Sequence, residues 1–371
     1  MLLVVGVCSE FWFWATEDRC KDAKTCLECA SVAQPGQVDC GWCERNQKCY
    51  TVGTEHGGCY SNFLWRSNET CENENSQTVP VYNESLAKLL ADFAAMAYSD
   101  DPEVCVQNVH PEFAIVSSAE TAEDWFGNFN FGFISVSTEL ELIVIALRGT
   151  KARLQLIIQA FQTMSRWEPH WLGGKVHPYF KSSFRALWPK ISKSLKLIRR
   201  TYPSYRILVT GHSLGAALAS LTAVEAVARR VVPLESITLV TFGEPRMGTY
   251  EFALSLDHYV PDSWRVVHAQ DIIPHIPPCV IGTWTGDCGK HWFSPYHHGT
   301  EVFYPGHMNE SDFRVCYGPP LNEDSSCSNS PQGLFKDPLN MPDPVADHKF
   351  YFDYHLSQFG KSNCKTILRQ Q

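Results

Sequence analysis

The sequence predicts an α/β fold in which helices cover a central, mostly parallel sheet, preceded by a small cysteine-rich module. Three observations predict it. Segments of strand and helix character alternate from about residue 81 onward. The stretch "RILVTGHSLGAALASL", residues 206–221, passes directly from a β-branched run into an alanine-rich helix. Cysteines crowd into residues 20–71, a stretch too short to bury much apolar area without covalent links.

The composition narrows the classes of function. The chain has 371 residues, of which 44% are hydrophobic and 19% charged, as in ordinary globular proteins. Its net charge is −9 and it has no basic tract, which argues against nucleic acid or an acidic membrane surface as the main partner. No apolar run reaches the length of a membrane span. We therefore expect a soluble mature chain without a transmembrane segment.

The N-terminus, residues 1–15, is predicted to be a signal peptide. Its apolar core is short and Ala15 is a small residue suited to cleavage, but it carries Glu10 and lacks a positive start; a buried first strand is the alternative. Fifteen cysteines, or fourteen once Cys8 is set aside with the signal, favour an oxidising compartment. We expect a secreted protein, or one in the lumen of the secretory or lysosomal pathway. The N-x-S/T sequons that agree with this are Asn68, Asn83 and Asn309.

Residues 20–71 form the cysteine-rich module. Two C-x-x-C pairs, Cys26/Cys29 and Cys40/Cys43, are compatible with zinc, but four further cysteines and a secreted setting favour disulfides. The segment "CLECA…DCGWCERNQKCY" resembles a PSI domain, the module of plexins, semaphorins and integrins, which implies a spacer role without chemistry. Residues 72–80, "ENENSQTVP", are predicted to be a linker. The cysteines of the module are Cys20, Cys26, Cys29, Cys40, Cys43, Cys49, Cys59 and Cys71.

The main domain is predicted to span residues 81–371. Its first helix is amphipathic, the next two strands form a hairpin, and the long second helix ends before Pro203. Alternation of strands with helices after that point indicates parallel pairing. In chain order, the predicted elements are helix 85–99, strands 131–137 and 140–150, helix 182–202, strand 206–210, helix 214–230, and strands 236–243 and 263–271.

Ser213 lies in Gly-His-Ser-Leu-Gly at the junction of a predicted strand and helix. Gly-x-Ser-x-Gly at such a junction is typical of the nucleophile elbow of α/β-hydrolases. The flanking glycines let strand and helix pass closely. The helix N-terminus favours a developing negative charge. The alternative is a small serine turn without chemistry, and the strand and helix on either side favour the elbow.

A serine nucleophile needs a histidine base and an orienting carboxylate. In this fold the chain order is serine, acid, histidine, so the acid follows Ser213 at the C-terminal end of a strand. Asp271 stands there, before a proline-rich loop. Asp262 competes with it but precedes the same strand, at the wrong end.

The base is expected late in the chain, on a loop that returns over the sheet. The segment "ADHKFYFDYHLSQFG" supplies His348 and His355. The other histidines are expected to be loop or packing residues. The candidates considered are His275, His291, His297, His298, His307, His348 and His355.

An ordered series of motifs over most of residues 81–366 resembles the class 3 lipases, whose best-known members are secreted fungal triacylglycerol lipases. The combination with a PSI-like module is similar to secreted lipase-like proteins of nematodes. The series is more specific than any one motif. In order it reads "IALRGT", "GGKVHPYF", "VTGHSLGAALASL", "TFGEPRMG", "RVVHAQDIIPHIPP", "HHGTEVFYP", "CSNS" and "DHKFYF".

The resemblance implies roles for particular residues. Ser213 would be the nucleophile, Asp271 the acid and His348, in the pattern D-H-x-x-Y-F, the base. His355 is the alternative base, because it shares part of that pattern. Thr150 and Leu214 would supply the oxyanion hole. One departure is Tyr179, which stands where many relatives have glycine.

The segment after Thr150 is a candidate lid. The family carries a mobile lid directly after the oxyanion strand, and an apolar lid face would cover an acyl pocket in water. A core-facing helix is the alternative reading of the same pattern. The apolar residues at helical spacing are Leu154, Ile157, Ile158 and Phe161.

The disulfides expected after residue 100 also rest on the resemblance, because six cysteines allow fifteen connectivities. The expected pairs are Cys105 with Cys364, Cys279 with Cys288, and Cys316 with Cys327.

The sequence thus predicts an extracellular serine hydrolase that cleaves acylglycerol esters, with a lipid ester at a lipid–water interface as its partner. No metal or organic cofactor is expected. A phospholipase or a short-chain or aryl esterase on the same fold is one alternative. A catalytically silent binding protein with a PSI-like module is another, although the presence of all four residues Ser213, Asp271, His348 and Thr150 argues against it.

Overall fold

The computed structural model divides the chain into two compact units, Met1–Val79 and Pro80–Gln371. The structure describes residues 20, 23–25, 28–29, 40–43, 48–51, 80–123, 129–150, 166–280, 288–289, 294–308, 312–319, 322–329 and 344–365.

In the first unit, a two-stranded antiparallel ribbon joins β1 (Cys40–Cys43) to β2 (Lys48–Thr51). Cys49 in β2 is bonded to Cys29 through a disulfide. The Cys29 thiol is therefore committed to a disulfide rather than to zinc. The resemblance of this unit to a PSI domain stays a prediction.

The second unit is built on an eight-stranded sheet with the order β14-β13-β11-β9-β8-β5-β4-β3. The five strands in the middle of this order, from β13 to β5, are parallel, and β3, β4 and β14 add antiparallel edges. The sheet is the mostly parallel one that the sequence predicts. Its strands are β3 (Ala114–Glu123), β4 (Phe129–Ser137), β5 (Leu142–Leu147), β8 (Arg206–His212), β9 (Ile237–Phe242), β11 (Ser263–His268), β13 (Thr300–Tyr304) and β14 (Arg314–Val315).

Helices cover both faces of the sheet. The longest, α3, begins at Pro178, earlier than predicted, and its turns accommodate Pro189. Helix α2, helix α5 and strand β3 had no sequence prediction. The helices are α1 (Glu84–Met96), α2 (Pro102–Val109), α3 (Pro178–Thr201), α4 (Leu214–Ala228), α5 (Tyr250–Tyr259), α6 (Pro344–Lys349) and α7 (Leu356–Lys361).

Short strands complete the described part of the unit. They form a four-stranded sheet with the order β12-β10-β7-β6 and a hairpin of β15 with β16. The strands are β6 (Glu168–Pro169), β7 (Lys175–Val176), β10 (Gly248–Thr249), β12 (Pro295–Tyr296), β15 (Phe350–Tyr351) and β16 (Tyr354–His355).

Buried hydrophobic residues form two cores, one on each face of the sheet. Successive side chains of a strand point to opposite faces, so each strand contributes to both cores. Ile143 and Ile145 in β5 pack with α3 and α4, whereas Val144 and Ala146 pack with α1 and α7. Residues 214–227 of α4 are all buried, as expected for a helix that is apolar on every side. This burial holds the start of α4, directly after Ser213, in one place.

Three disulfides are present in the second unit. Cys105 in α2 is bonded to Cys364, which follows α7. Both cysteines lie in the hydrophobic core on the same face of the sheet, so this disulfide ties two parts of that core together. The other two close short loops. They are Cys279–Cys288 and Cys316–Cys327.

Candidate active site

Ser213 occupies a sharp turn between β8 and α4. Its backbone has φ 61° and ψ −128°, a left-handed conformation that is costly for a residue with a side chain. A Cβ atom on Gly211 would overlap the carbonyl group of Gly215. The Ser213 amide donates to the carbonyl of Phe242 in β9, at 3.0 Å. The two glycines are thus required for strand and helix to pass each other at this distance, as an elbow demands.

The end of β5 lies against the elbow. Leu147 is paired with Gly211 in the parallel ladder. A Cβ atom on Gly215 would lie 2.7 Å from the amide nitrogen of Gly149. Thr150 follows at once and is partly exposed. The chain therefore brings the segment of Thr150 next to the first turn of α4, which begins at Leu214.

Asp271 lies beyond the C-terminal end of β11, three residues after His268, and is fully buried. Its carboxylate oxygens lie 2.9 Å from Nδ1 of His348, and it accepts from the Tyr351 hydroxyl at 2.6 Å and the Ile273 amide at 2.8 Å. Burial raises the pKa of Asp271, but the charge of His348 and the three donors outweigh it and hold that pKa below its ordinary value. The carboxylate is therefore ionised and aligned on the imidazole.

His348 lies in α6 and is buried. Its Nδ1 faces Asp271, while its Nε2 has no hydrogen-bond partner among the residues that the structure describes. Its ring is stacked on that of His212, with centroids 4.5 Å apart, and His212 directly precedes Ser213. Gly243, at φ 55°, packs against the pair, because a Cβ atom there would lie 2.5 Å from the Asp271 carboxylate. Asp271 and His348 are thus joined beside the elbow.

Three hydrogen bonds, two of them to carbonyl oxygens, hold the segment that carries His348. The ring of His268 in β11 bonds the carbonyl of Asp347 at 3.2 Å, and His212 Nε2 bonds the carbonyl of His348 at 2.7 Å. The Gln270 amide donates to the Asp347 carboxylate at 3.0 Å. Residues at the ends of β8 and β11 therefore hold Asp347 and His348 in place.

A buried ion pair holds the loop that follows Asp271. Arg246 binds Glu323 through two contacts of 2.8 Å and also reaches the carbonyl of Pro277. His297 Nε2 bonds the carbonyl of Pro274 at 2.8 Å. Burial raises the pKa of Glu323, but the neighbouring positive groups and the hydrogen bond from Arg246 together outweigh it and hold that pKa well below its ordinary value. The loop is thus anchored at Pro274 and Pro277.

The competing candidates occupy other places. Asp262 accepts from Thr238 and Trp264 at the N-terminal ends of their strands, opposite to Asp271. His355 accepts the Gln358 amide and so begins α7. Its pKa is lowered to about 4, mainly by burial. Neither is bonded to Asp271.

The remaining histidine candidates have structural partners. His275 contacts Asn329, His298 lies between Ser263 and Glu244, and His307 is exposed. Tyr179, the departure noted in the sequence, is buried in the first turn of α3. Other sequence candidates lie outside the described residues. These are His291, Asn68, Asn309 and the lid candidates Leu154, Ile157, Ile158 and Phe161.

Sequence reasoning assigned no role to Tyr351, His212 or Gly243. Tyr351 and His212 stood inside quoted motifs, as the tyrosine of D-H-x-x-Y-F and the first variable residue of Gly-x-Ser-x-Gly. Gly243 stood in the quoted motif "TFGEPRMG", at the end of a predicted strand. Their contacts join residues distant in the chain, such as Tyr351 with Asp271, 80 positions apart, and His212 with His348, 136 positions apart. Local sequence patterns do not report such contacts.

Comparison with known proteins gives the family. The model of "Lipase (class 3)" matches residues 144–281. Lipase ZK262.3 of Caenorhabditis elegans is 36% identical over 300 residues, which cover 76% of this chain and 83% of that protein. The chain belongs to the class 3 lipase family. A secreted mono- and diacylglycerol lipase of Malassezia globosa is 33% identical over 147 residues, 39% of this chain and 46% of that protein.

Solved structures agree on the fold. Lipase II from Rhizopus niveus superposes with a TM-score of 0.60 at 24% identity and covers 77% of this chain and 100% of its own. The lipase from Rhizopus microsporus var. chinensis gives 0.58 at 24% identity, over 78% of this chain and 96% of its own. The second unit therefore has the α/β-hydrolase fold. Membership of the family makes the protein an ester-hydrolysing enzyme. No helix among the described residues is long and apolar enough to cross a membrane.

Proposed function

We propose that the protein is a secreted serine hydrolase that cleaves the carboxylic esters of acylglycerols through an acyl-enzyme on Ser213. One observation carries the proposal. A buried Asp271–His348 pair lies beside the elbow of Ser213, and His348 Nε2 is buried and unbonded within the described part of the chain. A base held by its acid, with its other nitrogen free, is the arrangement that activates a serine hydroxyl.

The positions that we propose for the protons of His348 follow from its contact with the Asp271 carboxylate. Because an ionised carboxylate only accepts, His348 Nδ1 carries a hydrogen. In the cycle that we propose, His348 Nε2 starts without a proton and presents its lone pair to the Ser213 hydroxyl. The Ser213 hydroxyl does not bond that nitrogen in this conformation. Such bonds are often long in enzymes without substrate and shorten when substrate binds.

In the reaction, Ser213 Oγ attacks the ester carbonyl carbon and gives its proton to His348 Nε2. The tetrahedral intermediate collapses as the bond to the alcohol oxygen breaks, and His348 returns the proton to that oxygen. Water then attacks the acyl-enzyme by the same steps, which releases the acid and restores Ser213. Asp271 holds the imidazole and stabilises its charged form in both halves of the cycle.

The oxyanion is assigned to Thr150 and Leu214. Thr150 follows Gly149, Leu214 precedes Gly215, and the backbones of these two glycines lie close together. Leu214 is also the first residue of α4. An amide at a helix N-terminus favours negative charge. Each donor that is aimed at the developing oxygen lowers the barrier by about 3 kcal/mol.

The substrate class and the compartment rest on the relatives and on the sequence. The Malassezia protein is described as a secreted mono- and diacylglycerol lipase. The apolar residues at helical spacing after Thr150, Leu154, Ile157, Ile158 and Phe161, support a lid that faces long acyl chains. The four disulfides that join pairs of described cysteines support an oxidising compartment. Asn83 is exposed, which suits the glycosylation we propose there.

The test uses purified full-length protein and the Ser213→Ala variant. We expect wild-type protein to hydrolyse emulsified triacylglycerols and to be labelled by a fluorophosphonate, and Ser213→Ala to lose both by at least about 1,000-fold. Phospholipids and short aryl esters in the same panel separate the related enzyme activities. Absence of labelling in folded wild-type protein would indicate a silent binding protein, and full activity in Ser213→Ala would refute the assignment.

A further inference from the structure

A chain of two hydrogen bonds links Tyr98, which follows α1, through His212 to His348. Tyr98, just beyond the end of α1, places its hydroxyl 2.9 Å from Nδ1 of His212. On its other side, His212 Nε2 lies 2.7 Å from the carbonyl oxygen of His348. Both side chains are almost completely buried, with exposed fractions of 2% and 4%. We call Tyr98 and His212 the brace.

The protons of the brace follow from its chemistry. A carbonyl oxygen only accepts, so His212 Nε2 donates to His348. Burial lowers the pKa of His212 to about 3, so the ring is neutral and its Nδ1 accepts. Burial also raises the pKa of Tyr98, which keeps its hydroxyl protonated and donating. Every bond in the chain therefore has one donor and one acceptor.

The brace contacts each part of the candidate site. A Cβ atom on Gly149, the residue before Thr150, would overlap the Tyr98 hydroxyl. His212 is joined to Ser213 by the chain itself. The rings of His212 and His348 are stacked, with centroids 4.5 Å apart and planes at 27°.

We propose that Tyr98 and His212 are positioning residues, which set the imidazole of His348 relative to Ser213 and to the oxyanion segment at Gly149 and Thr150. The inference rests on the proposed function of the same site. Because His212 is neutral, the ring stacked on His348 adds no positive charge beside the imidazolium that forms during the reaction. The brace thus supplies a donor and a packing surface without opposing proton transfer.

The experiment compares three variants on a water-soluble aryl ester. His212→Leu removes the donor to His348, His212→Gln keeps an amide donor at a similar reach, and Tyr98→Phe removes only the hydroxyl. The control is Tyr82→Phe, because Tyr82 is also buried and hydrogen-bonded through its hydroxyl, to Tyr304, but stands before the opposite end of α1. Thermal unfolding is measured for each protein.

We expect kcat to fall by about 10- to 100-fold in His212→Leu with KM changed by less than about twofold, because a misplaced base affects the transition state rather than binding. His212→Gln recovers part of kcat, which a purely structural role would not produce in protein of equal stability. Tyr98→Phe lowers kcat by about 3- to 10-fold, and Tyr82→Phe leaves it unchanged.

The inference is overturned if folded His212→Leu keeps the wild-type kcat, if His212→Gln is as slow as His212→Leu, or if Tyr82→Phe loses as much as Tyr98→Phe. If His212→Leu does not fold, Tyr98→Phe decides alone. A failure of the proposed function has a different signature, because wild-type protein would then lack hydrolysis that depends on Ser213.

Discussion

The elbow around Ser213 and the segment that carries His348 lie against each other, and the contacts that hold them come from different distances along the chain. Gly211 and Gly215, which shape the elbow, are near neighbours in sequence. Asp347 and His348 are held by bonds to residues 77, 79 and 136 positions earlier. The glycines that shape the elbow are therefore set by the local sequence, whereas the position of His348 is a property of the folded domain.

The difference has a physical cause. A strand, a turn with two glycines and an apolar helix are favoured by short-range sterics and by burial of α4. Helix α6 has only six residues, too few to be stable alone. It depends on hydrogen bonds from β8 and β11 and on the ring contact with His212. Substitutions in the two regions should therefore have different effects, on kcat at His348 and on the stability of the fold at the elbow.

The largest expected effect is at the base. His348→Ala removes the proposed proton acceptor, and we expect kcat to fall by about 1,000-fold or more. His355→Asn is the matched control, because an asparagine keeps an acceptor where His355 begins α7. Steady-state hydrolysis of a soluble ester measures both. Equal losses in the two variants would contradict the assignment of His348.

A larger residue at a glycine of the elbow should destabilise the fold. In Gly215→Ala, the new Cβ atom would overlap the carbonyl oxygen of Leu147 and crowd Gly149, so we expect the free energy of unfolding to fall by about 3 kcal/mol. The control is Gly306→Ala, because a Cβ atom at Gly306 meets nothing within 4 Å. Denaturant unfolding measures both variants. Wild-type stability in Gly215→Ala would show that the elbow is less constrained than described.

Tyr351→Phe should have a smaller effect, confined to Asp271. The loss of one donor raises the pKa of Asp271 towards its ordinary value. A carboxylate with a depressed pKa adds stability at pH above its unfolded pKa, and this stability is lost as the pH falls through the folded pKa. Because the unfolded pKa is unchanged, the acid-side loss of stability should be smaller and should end at higher pH in Tyr351→Phe, with kcat at neutral pH lower by about tenfold.

Melting temperatures of wild-type and Tyr351→Phe protein between pH 3 and pH 6 check this shift, with the pH range set about the ordinary carboxyl pKa. Tyr82→Phe is again a suitable control, because its hydroxyl bonds Tyr304 rather than a carboxylate. Identical acid limbs in the Tyr351→Phe and wild-type proteins would mean that this hydroxyl does not tune Asp271.

Much of the fold was accessible to sequence reasoning. The β5–β8–β9–β11 core and helices α1, α3 and α4 follow from periodic apolar patterns, and the structure confirms them. Helices α2 and α5 were not predicted, since α2 is short and α5 has a weak pattern. Strand β3, an irregular edge strand with register shifts, was also missed. Pro178 began α3 earlier than expected because proline suits the first helical position.

The sequence by itself determined the elbow at Ser213 and the end of the strand at which an acid belongs, because both are set by local sterics and by the direction of parallel strands. Only the tertiary structure decided which histidine meets Asp271, and it added Tyr351, Gly243, His212 and Tyr98 around that pair. These contacts join segments that are distant in the chain, and they exist only after the sheet and its covering helices have assembled.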